Sequence, residues 1–216
     1  MEKLIVLVLI TLSFFGCKEV KVEQVAREET HKDAVIDNIL NRRAIRKYTE
    51  QQVSQSQLDT ILKCAIYAPS ALNLQTWEIR AVQNAEIIEE INNRFLNFAQ
   101  GQEFQGSAAR YLEPGFSISH HAPTLIVIAS KKESSYAKID AGLALQNILL
   151  SAHALGLGTC PIGSLVPVLN RPENTDIRER LNIPEEYEVT INVALGYPAE
   201  SPEVPDRDSK KVEIIQ

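Results

Sequence analysis

Three arginines near the start of the folded part of the chain are suited to bind a phosphate. Arg42, Arg43 and Arg46 follow an apolar helical pattern and precede Tyr48. A planar guanidinium group can donate two parallel hydrogen bonds to one anion, which matches the geometry of a phosphate. A basic cluster of this kind is, by itself, more often a solvated face than a site. It indicates a phosphate site only if other parts of the chain point to the same ligand.

A second stretch, Ala68 to Trp77, is rich in short hydrogen-bonding side chains and ends on an aromatic residue. Pro69, Ser70 and Ala71 allow a close backbone approach and supply donors, which a flat heteroaromatic ring needs at its edge. The alternative is an ordinary turn between a helix and a strand, with Trp77 anchored in the core.

Two further stretches follow the longest apolar helical pattern. The first contains Pro161, Ile162, Gly163 and Ser164, where Gly163 leaves backbone N–H groups free to point at a ligand. The second is the turn at Gly196, followed later by Arg207. Taken singly, each is more often a plain loop than a site.

The hydropathy pattern predicts the elements that must position these stretches. Helices and strands alternate without a strict βαβ rhythm, which favours an α+β domain over a doubly wound sheet. Residues 100–119 show no period and predict an irregular cover over a site. The predicted elements are helices near 34–40, 58–66, 85–99 and 139–155, the last ended by Gly156 and Gly158, and strands at 77–82, 123–129 and 188–196.

The first residues resemble a bacterial export signal. Lys3 precedes an apolar run, and Gly16 stands directly before Cys17, which predicts a signal peptide over 1–16 and lipidation of Cys17. Residues 17–32 then form a polar tether, and 33–216 form the domain. A plain cleaved signal or a membrane anchor are the alternatives. The formal net charge of -6 argues against a protein that coats nucleic acid.

The remaining residues with reactive side chains are interpreted as structural. Cys64 and Cys160 could pair in an oxidising compartment, but two buried free thiols are favoured. His120 and His121 are expected to point apart on a strand, which makes them poor joint metal ligands. No metal site and no catalytic nucleophile are predicted.

In this order and spacing, the four stretches resemble the nitroreductase family from about Asp33 to Arg207. The family's Arg-Arg-Ser-x-Arg motif, which binds the phosphate and ribityl tail of FMN, falls on residues 42–46, with Ala44 in place of Ser. The residues that this motif assigns to FMN binding are Arg42, Arg43, Ala44 and Arg46. The family's Pro-Ser-x-x-Asn-x-Gln-Pro-Trp segment contacts the flavin from the partner subunit and falls on residues 69–77, with Thr76 in place of Pro. The residues that it assigns to flavin binding are Pro69, Ser70, Ala71 and Asn73.

The same resemblance places the amides of Pro161, Ile162, Gly163 and Ser164 opposite flavin N5 and O4. It assigns a phosphate contact to Arg207, with Pro205 where many relatives have Lys. It implies a central, mainly antiparallel sheet flanked by helices in a domain-sharing homodimer.

The implied activity is reduction of nitro-aromatic, quinone or enone acceptors in a ping-pong cycle, with hydride entering and leaving at flavin N5. The alternatives are a flavin-binding or flavin-remodelling protein, favoured by Ala44 and Pro205, and a lipid-anchored non-catalytic relative. Localisation is expected to be periplasmic or on the outer face of a membrane, where a nicotinamide donor, NAD(P)H, is not expected. Either the electron donor outside the cytoplasm is not NAD(P)H, or Cys17 is not lipidated.

Overall fold

The computed structural model describes residues 33–216. Residues 33–41 are helical (α1) and belong to one unit, and Arg42–Gln216 forms a second. The predicted signal peptide 1–16, the lipidation site Cys17 and the tether 17–32 lie outside the described residues and stay predictions. Within 33–216, no helix has both the length and the hydropathy needed to cross a membrane.

A four-stranded sheet with the order β1-β2-β4-β3 is the centre of the second unit. All neighbouring strands are antiparallel, so the predicted antiparallel α+β fold is confirmed. Since β1 and β3 are the two edges, they are three strand spacings of about 4.8 Å apart, roughly 14 Å. The strands are β1 Trp77–Val82, β2 Thr124–Lys131, β3 Gly158–Ile162 and β4 Tyr187–Gly196.

Local capping signals explain where two of the helices begin. The side chains of Ser54 and Gln57 each accept a hydrogen bond from the other's backbone N–H at the start of α2. The Asn84 side chain accepts from the Ile87 N–H at the start of α3. The helices are α2 Gln55–Ile66, α3 Ala85–Ala99, α4 Ala137–Ala154, α5 Val166–Leu169 and α6 Thr175–Arg180, with 3-10 turns at Ala71–Asn73, Gly106–Leu112, Pro172–Asn174 and Ser209–Lys211.

The sheet is covered on both faces, which gives two apolar cores. Along β2, Leu125 and Val127 enter the core shared with α3 and α5, whereas Ile126 and Ile128 enter the core shared with α2 and α4. This alternation follows from the two-residue period of a strand. Burial of both faces explains why β2 is a continuous apolar run in the sequence.

Three sequence-based expectations were wrong. Residues 159–162 were expected in a loop, but they form most of the edge strand β3. Gly158 does not end the long helix, because it is the first residue of β3; Gly156, with a φ of 74°, follows that helix. His120 and His121 lie in a turn with φ angles of 56° and 57°, not on a strand.

Candidate functional site

Residues 42–49, which we call the arm, lie along the outer edge of β3. Ala44 forms a parallel bridge with Thr159, and the Ile45 N–H donates to the Thr159 carbonyl at 2.9 Å. The arm continues to Tyr48, which bridges Pro198 after β4. The predicted arginine cluster therefore lies beside β3, which contains Pro161 and Ile162 and is followed directly by Gly163 and Ser164.

The turn after β4 holds the other side of the arm. The Thr49 N–H donates to the Tyr197 carbonyl at 3.0 Å, and the Ala199 N–H donates to the Lys47 carbonyl at 2.9 Å. The backbone N–H of Arg46 also donates to the Glu200 carboxylate. Three stretches that are distant in sequence are thus brought together by backbone pairing.

Two glycines permit this close packing. A Cβ on Gly158 would stand 2.8 Å from the Ile45 Cβ. A Cβ on Gly196 would stand 2.7 Å from the Pro123 Cδ and 3.0 Å from the Tyr48 Cδ1. Glycine is therefore required at both positions because a Cβ would clash with a neighbouring side chain, and not because of the backbone angles.

Arg42 has the environment expected of an anion ligand. Burial, followed by the charges of Arg43 and Arg207, lowers its pKa. Its Nη1 atom is buried and has no hydrogen-bond partner among the described residues. A buried donor without a partner is costly, and a bound phosphate would satisfy it. The residues present at this point fit the phosphate of FMN.

Further positive charge surrounds the buried Cys160 in β3. Burial raises the pKa of its thiol, while Arg46, Arg110 and Arg42 act in the opposite direction. Burial and the charges of Arg110 and Arg46 together lower the pKa of His120 to about 4. The predicted arginine cluster and Arg110 thus belong to one cationic region.

Arg110 was missed by sequence reasoning. It lies in the 3-10 turn Gly106–Leu112, within the predicted irregular cover, and its Nε is buried with no hydrogen-bond partner in the described part of the chain. In the same turn, the Tyr111 hydroxyl is 2.6 Å from the Ser164 hydroxyl. The cover therefore reaches the predicted ring-binding loop. The only sequence signal for Arg110 was its place in that cover.

The remaining predicted phosphate ligand lies near the C-terminus. Arg207 is exposed and donates to the Asp206 carbonyl at 3.2 Å. Its charge nonetheless acts on Arg42. Cys64 and Cys160 are both free; Cys160 is buried as expected, whereas Cys64 is only half-buried. The residues from 33 onward contain no group of three side chains able to hold a metal ion.

Residues 69–77, which we call the ring segment, lie apart from the rest of the site. They lead into β1, at the opposite edge of the sheet from β3. Pro69 and Asn73 are exposed, whereas Ser70 and Ala71 are half-buried. The structure therefore brings the arm, the Pro161–Ser164 loop and Arg207 together, and leaves the ring segment outside that group.

The ring segment has an unusual backbone. Leu72, Asn73 and Gln75 have φ angles of 53°, 56° and 49°, the left-handed region that residues other than glycine rarely adopt. Each such residue costs on the order of 1–3 kcal/mol and persists only where its surroundings hold it. The Ser70 hydroxyl accepts from the Gln75 N–H at 3.0 Å, and the Asp140 carboxylate contacts the segment at two further points.

Comparison with known proteins gives consistent matches over most of the chain. A family model described as "Nitroreductase family" matches residues 39–197. The NADPH-flavin oxidoreductase of Vibrio harveyi is 31% identical over 178 residues, covering 80% of this chain and 69% of that protein. The FMN reductase [NAD(P)H] of Bacillus subtilis is 30% identical over 190 residues, with coverages of 84% and 70%. The crystal structure of a nitroreductase with bound FMN from Bacteroides fragilis is 30% identical, with a TM-score of 0.76 and coverages of 84% and 98%.

Proposed function

Since the chain belongs to the nitroreductase family, we propose that it is an FMN-dependent oxidoreductase that transfers electrons from a reduced donor to a small organic acceptor. The donor is NAD(P)H where the domain faces the cytoplasm and another reductant where the chain is exported. The observation that carries the proposal is the buried Nη1 of Arg42, at the start of the arm that lies along β3, which has no hydrogen-bond partner among residues 33–216. The acceptor class is a nitro-aromatic, a quinone or an enone. When bound, FMN supplies the hydride chemistry at N5.

The protein's own residues bind and orient the cofactor. Arg42, Arg43, Arg46 and Arg207 hold the phosphate and ribityl end, and the backbone at Ala44 borders them. The cationic region around Cys160 supports this assignment, because the charges of Arg46, Arg110 and Arg42 act on that thiol against the single carboxylate of Glu200 among the described residues. Arg110 is a candidate for one further cationic contact to the phosphate. It lies in the cover, residues 100–119, whereas Arg207 lies in the C-terminal stretch.

At the ring end, backbone N–H groups at the end of β3 and just after it would donate to the edge of the isoalloxazine. This stretch comprises Pro161 and Ile162 of β3 and the following Gly163 and Ser164. Pro161 has no N–H and can only border the ring, and the Ser164 hydroxyl is held by Tyr111. The cover limits the access of water to the space next to β3. No side chain is required as an acid, base or nucleophile.

We propose a homodimer in which the ring segment serves the second subunit's site. Two observations support it: the ring segment lies at the opposite sheet edge from the arm, and α2 and α4 expose apolar side chains. Ile66 of α2 and Ile139 of α4 are 54% and 64% exposed. Exposed apolar side chains on packed neighbouring helices are typical of a surface that a second copy covers.

The export and anchoring of this oxidoreductase remain part of the proposal. The support is the sequence of residues 1–17 alone, in which an apolar run ends at Gly16 and Cys17. The full chain should partition into the detergent phase of a Triton X-114 extract, and Cys17→Ser should move it to the aqueous phase. Equal partitioning of both proteins rejects the lipid anchor.

A second candidate is a protein that binds or remodels flavin without ordinary turnover. Ala44, which lacks the hydroxyl of the family motif, and Pro205, which lacks a cation, favour it. A non-catalytic anchored relative is the third candidate. The three candidates differ in whether the purified protein binds FMN and whether the bound FMN is reduced and reoxidised.

The test is flavin content followed by anaerobic reduction and reoxidation of the purified mature chain. A yellow protein that releases FMN, is bleached by NADH or NADPH and is reoxidised by a nitro-aromatic or a quinone supports the proposal. Bound FMN that no nicotinamide donor reduces, and that no acceptor reoxidises after chemical reduction, favours the flavin-binding candidate. Failure to bind FMN, even when it is added, overturns both and leaves the non-catalytic relative.

A further inference from the structure

Asp140 is a buried carboxylate that the proposed electron transfer does not use. It lies in the first turn of α4 and is only 2% exposed. One carboxylate oxygen accepts from the Ala71 N–H at 3.1 Å, and the other accepts from the Thr76 hydroxyl at 2.9 Å. A single side chain thus holds the ring segment at two points on either side of its left-handed residues.

These two bonds act on a backbone that needs support. Leu72, Asn73 and Gln75 are all left-handed, and a short strained loop keeps such a conformation only when it is fixed at both ends. Thr76 is itself buried, at 4% exposure. A proline at that position would restrict the turn through its ring, whereas the threonine side chain restricts it through the bond to Asp140.

Because the residues assigned to the flavin ring lie between these two anchors or next to them, the geometry of the anchors sets the geometry of the ring contact. We propose that Asp140 is a positioning residue for FMN, and that it acts on the site built from the partner subunit's arginines. The inference rests on the proposed function. It connects α4 of one subunit to the cofactor bound by the other.

The first test compares FMN affinity with stability in conservative variants. Asp140→Asn keeps the shape but leaves one acceptor oxygen, so FMN affinity should fall by roughly tenfold or more, the loss expected for a charge-assisted bond. The visible circular dichroism of the bound flavin should change as well. Thr76→Val should act in the same direction, and Thr76→Ser should retain the parental values.

The matched control is Asn174→Ala. Asn174 is also buried, at 6% exposure, and makes two side-chain bonds, to the Val168 carbonyl and from Arg94. The Asn174→Ala substitution should lower the melting temperature and leave the FMN dissociation constant and the flavin spectrum unchanged. If Asp140→Asn behaves like Asn174→Ala, Asp140 is a structural residue and the inference is overturned.

A heterodimer tests whether the effect crosses between subunits. One subunit carries Arg42→Ala and the other carries Asp140→Asn, with different tags for purification. If Asp140 acts on the partner's site, both defects fall in the same site, and the heterodimer retains one FMN of parental affinity. If it acts on its own subunit's site, each site has one defect, and no FMN of parental affinity is bound.

The control for the heterodimer carries both substitutions on one subunit opposite a parental subunit. This arrangement distributes the two defects over both sites if Asp140 acts across the dimer, so the two heterodimers should give opposite results. Parental chain that binds no FMN overturns the proposed function and the inference together. Parental chain that binds two FMN per dimer, with the reverse pattern in the heterodimers, overturns the inference alone.

Discussion

At the scale of single residues, arginines at a cofactor site should affect affinity more than folding. Arg42→Ala and Arg207→Ala should each weaken FMN binding by roughly ten- to a hundredfold, because a charge-assisted contact contributes about 1.5–3 kcal/mol. The free energy of unfolding should change little for Arg207, which is exposed. Titration of FMN into apoprotein and urea unfolding measure the two quantities.

Lys63→Ala is the control, since it removes a positive charge from the exposed side of α2. It should bind FMN like the parent. Parental affinity in both arginine variants means that the basic cluster is a solvated face and that the phosphate lies elsewhere.

His120 makes stability depend on pH. Its pKa in the folded chain is about 4 because burial, Arg110 and Arg46 all disfavour the charged ring. In the unfolded chain the pKa returns to about 6.5, so between these values only the unfolded chain binds the proton. The free energy of unfolding should therefore be highest above about pH 6.5 and fall towards pH 4, by at most about 3 kcal/mol from this residue.

His120→Asn should reduce that pH dependence, and asparagine is chosen because it tolerates a positive φ. Urea unfolding at pH 7 and at pH 4.5 gives the loss for each protein. His121→Asn changes the exposed neighbour of His120. Between pH 7 and pH 4.5, the free energy of unfolding of this variant should fall as much as that of the parent. Equal losses in all three proteins would show that His120 does not cause the dependence.

At the scale of elements, local signals predicted some boundaries and failed at others. The bounds of β1 and α3 were predicted as found. The structure adds a local reason for the start of α3, since the Asn84 side chain caps it. β3 was missed because it is short and contains Pro161. Proline is tolerated at a sheet edge, where its missing N–H disrupts no ladder. Only the pairing with β4, which is not local, makes these residues a strand.

The contact between Gly158 and Ile45 should be measurable as a coupling between the arm and β3. Gly158→Ala should lower the free energy of unfolding by about 1–3 kcal/mol through overpacking, and it should weaken FMN binding by displacing the arm. Ile45→Ala removes two of the three obstructing atoms, Cγ1 and Cγ2, and leaves the Ile45 Cβ in place, so it relieves the overpacking in part. In the double variant, the penalty of Gly158→Ala should shrink by at least about 0.5 kcal/mol. Additive penalties in a double-mutant cycle would rule out the contact.

At the scale of the whole molecule, flavin binding should require two chains. The mature chain should elute as a dimer with two FMN in size-exclusion chromatography with light scattering. Ile139→Asp places a charge on the exposed apolar face of α4, and it should reduce dimer and flavin content together, whereas Ile139→Val should reduce neither. A monomer that still binds FMN tightly would contradict the shared site.

The sequence assigned residues to the proposed site but not their arrangement. The resemblance assigned the arginines, the ring segment and residues 161–164 to FMN, but no local pattern encodes which of them lie together. Their grouping depends on backbone pairing of the arm with two distant stretches. Arg110 and Asp140 escaped notice for the same reason, since their partners are set by tertiary packing alone.

The pairing of the arm has a consequence for the order in which the chain acquires its cofactor. Arg46 is made early in synthesis, but its partner Glu200 follows 154 residues later. Contacts of such high sequence separation form late, because the loop between them must close first. A nascent chain therefore carries its arginines long before it has a phosphate pocket. Flavin uptake should begin only once translation has passed the turn after β4.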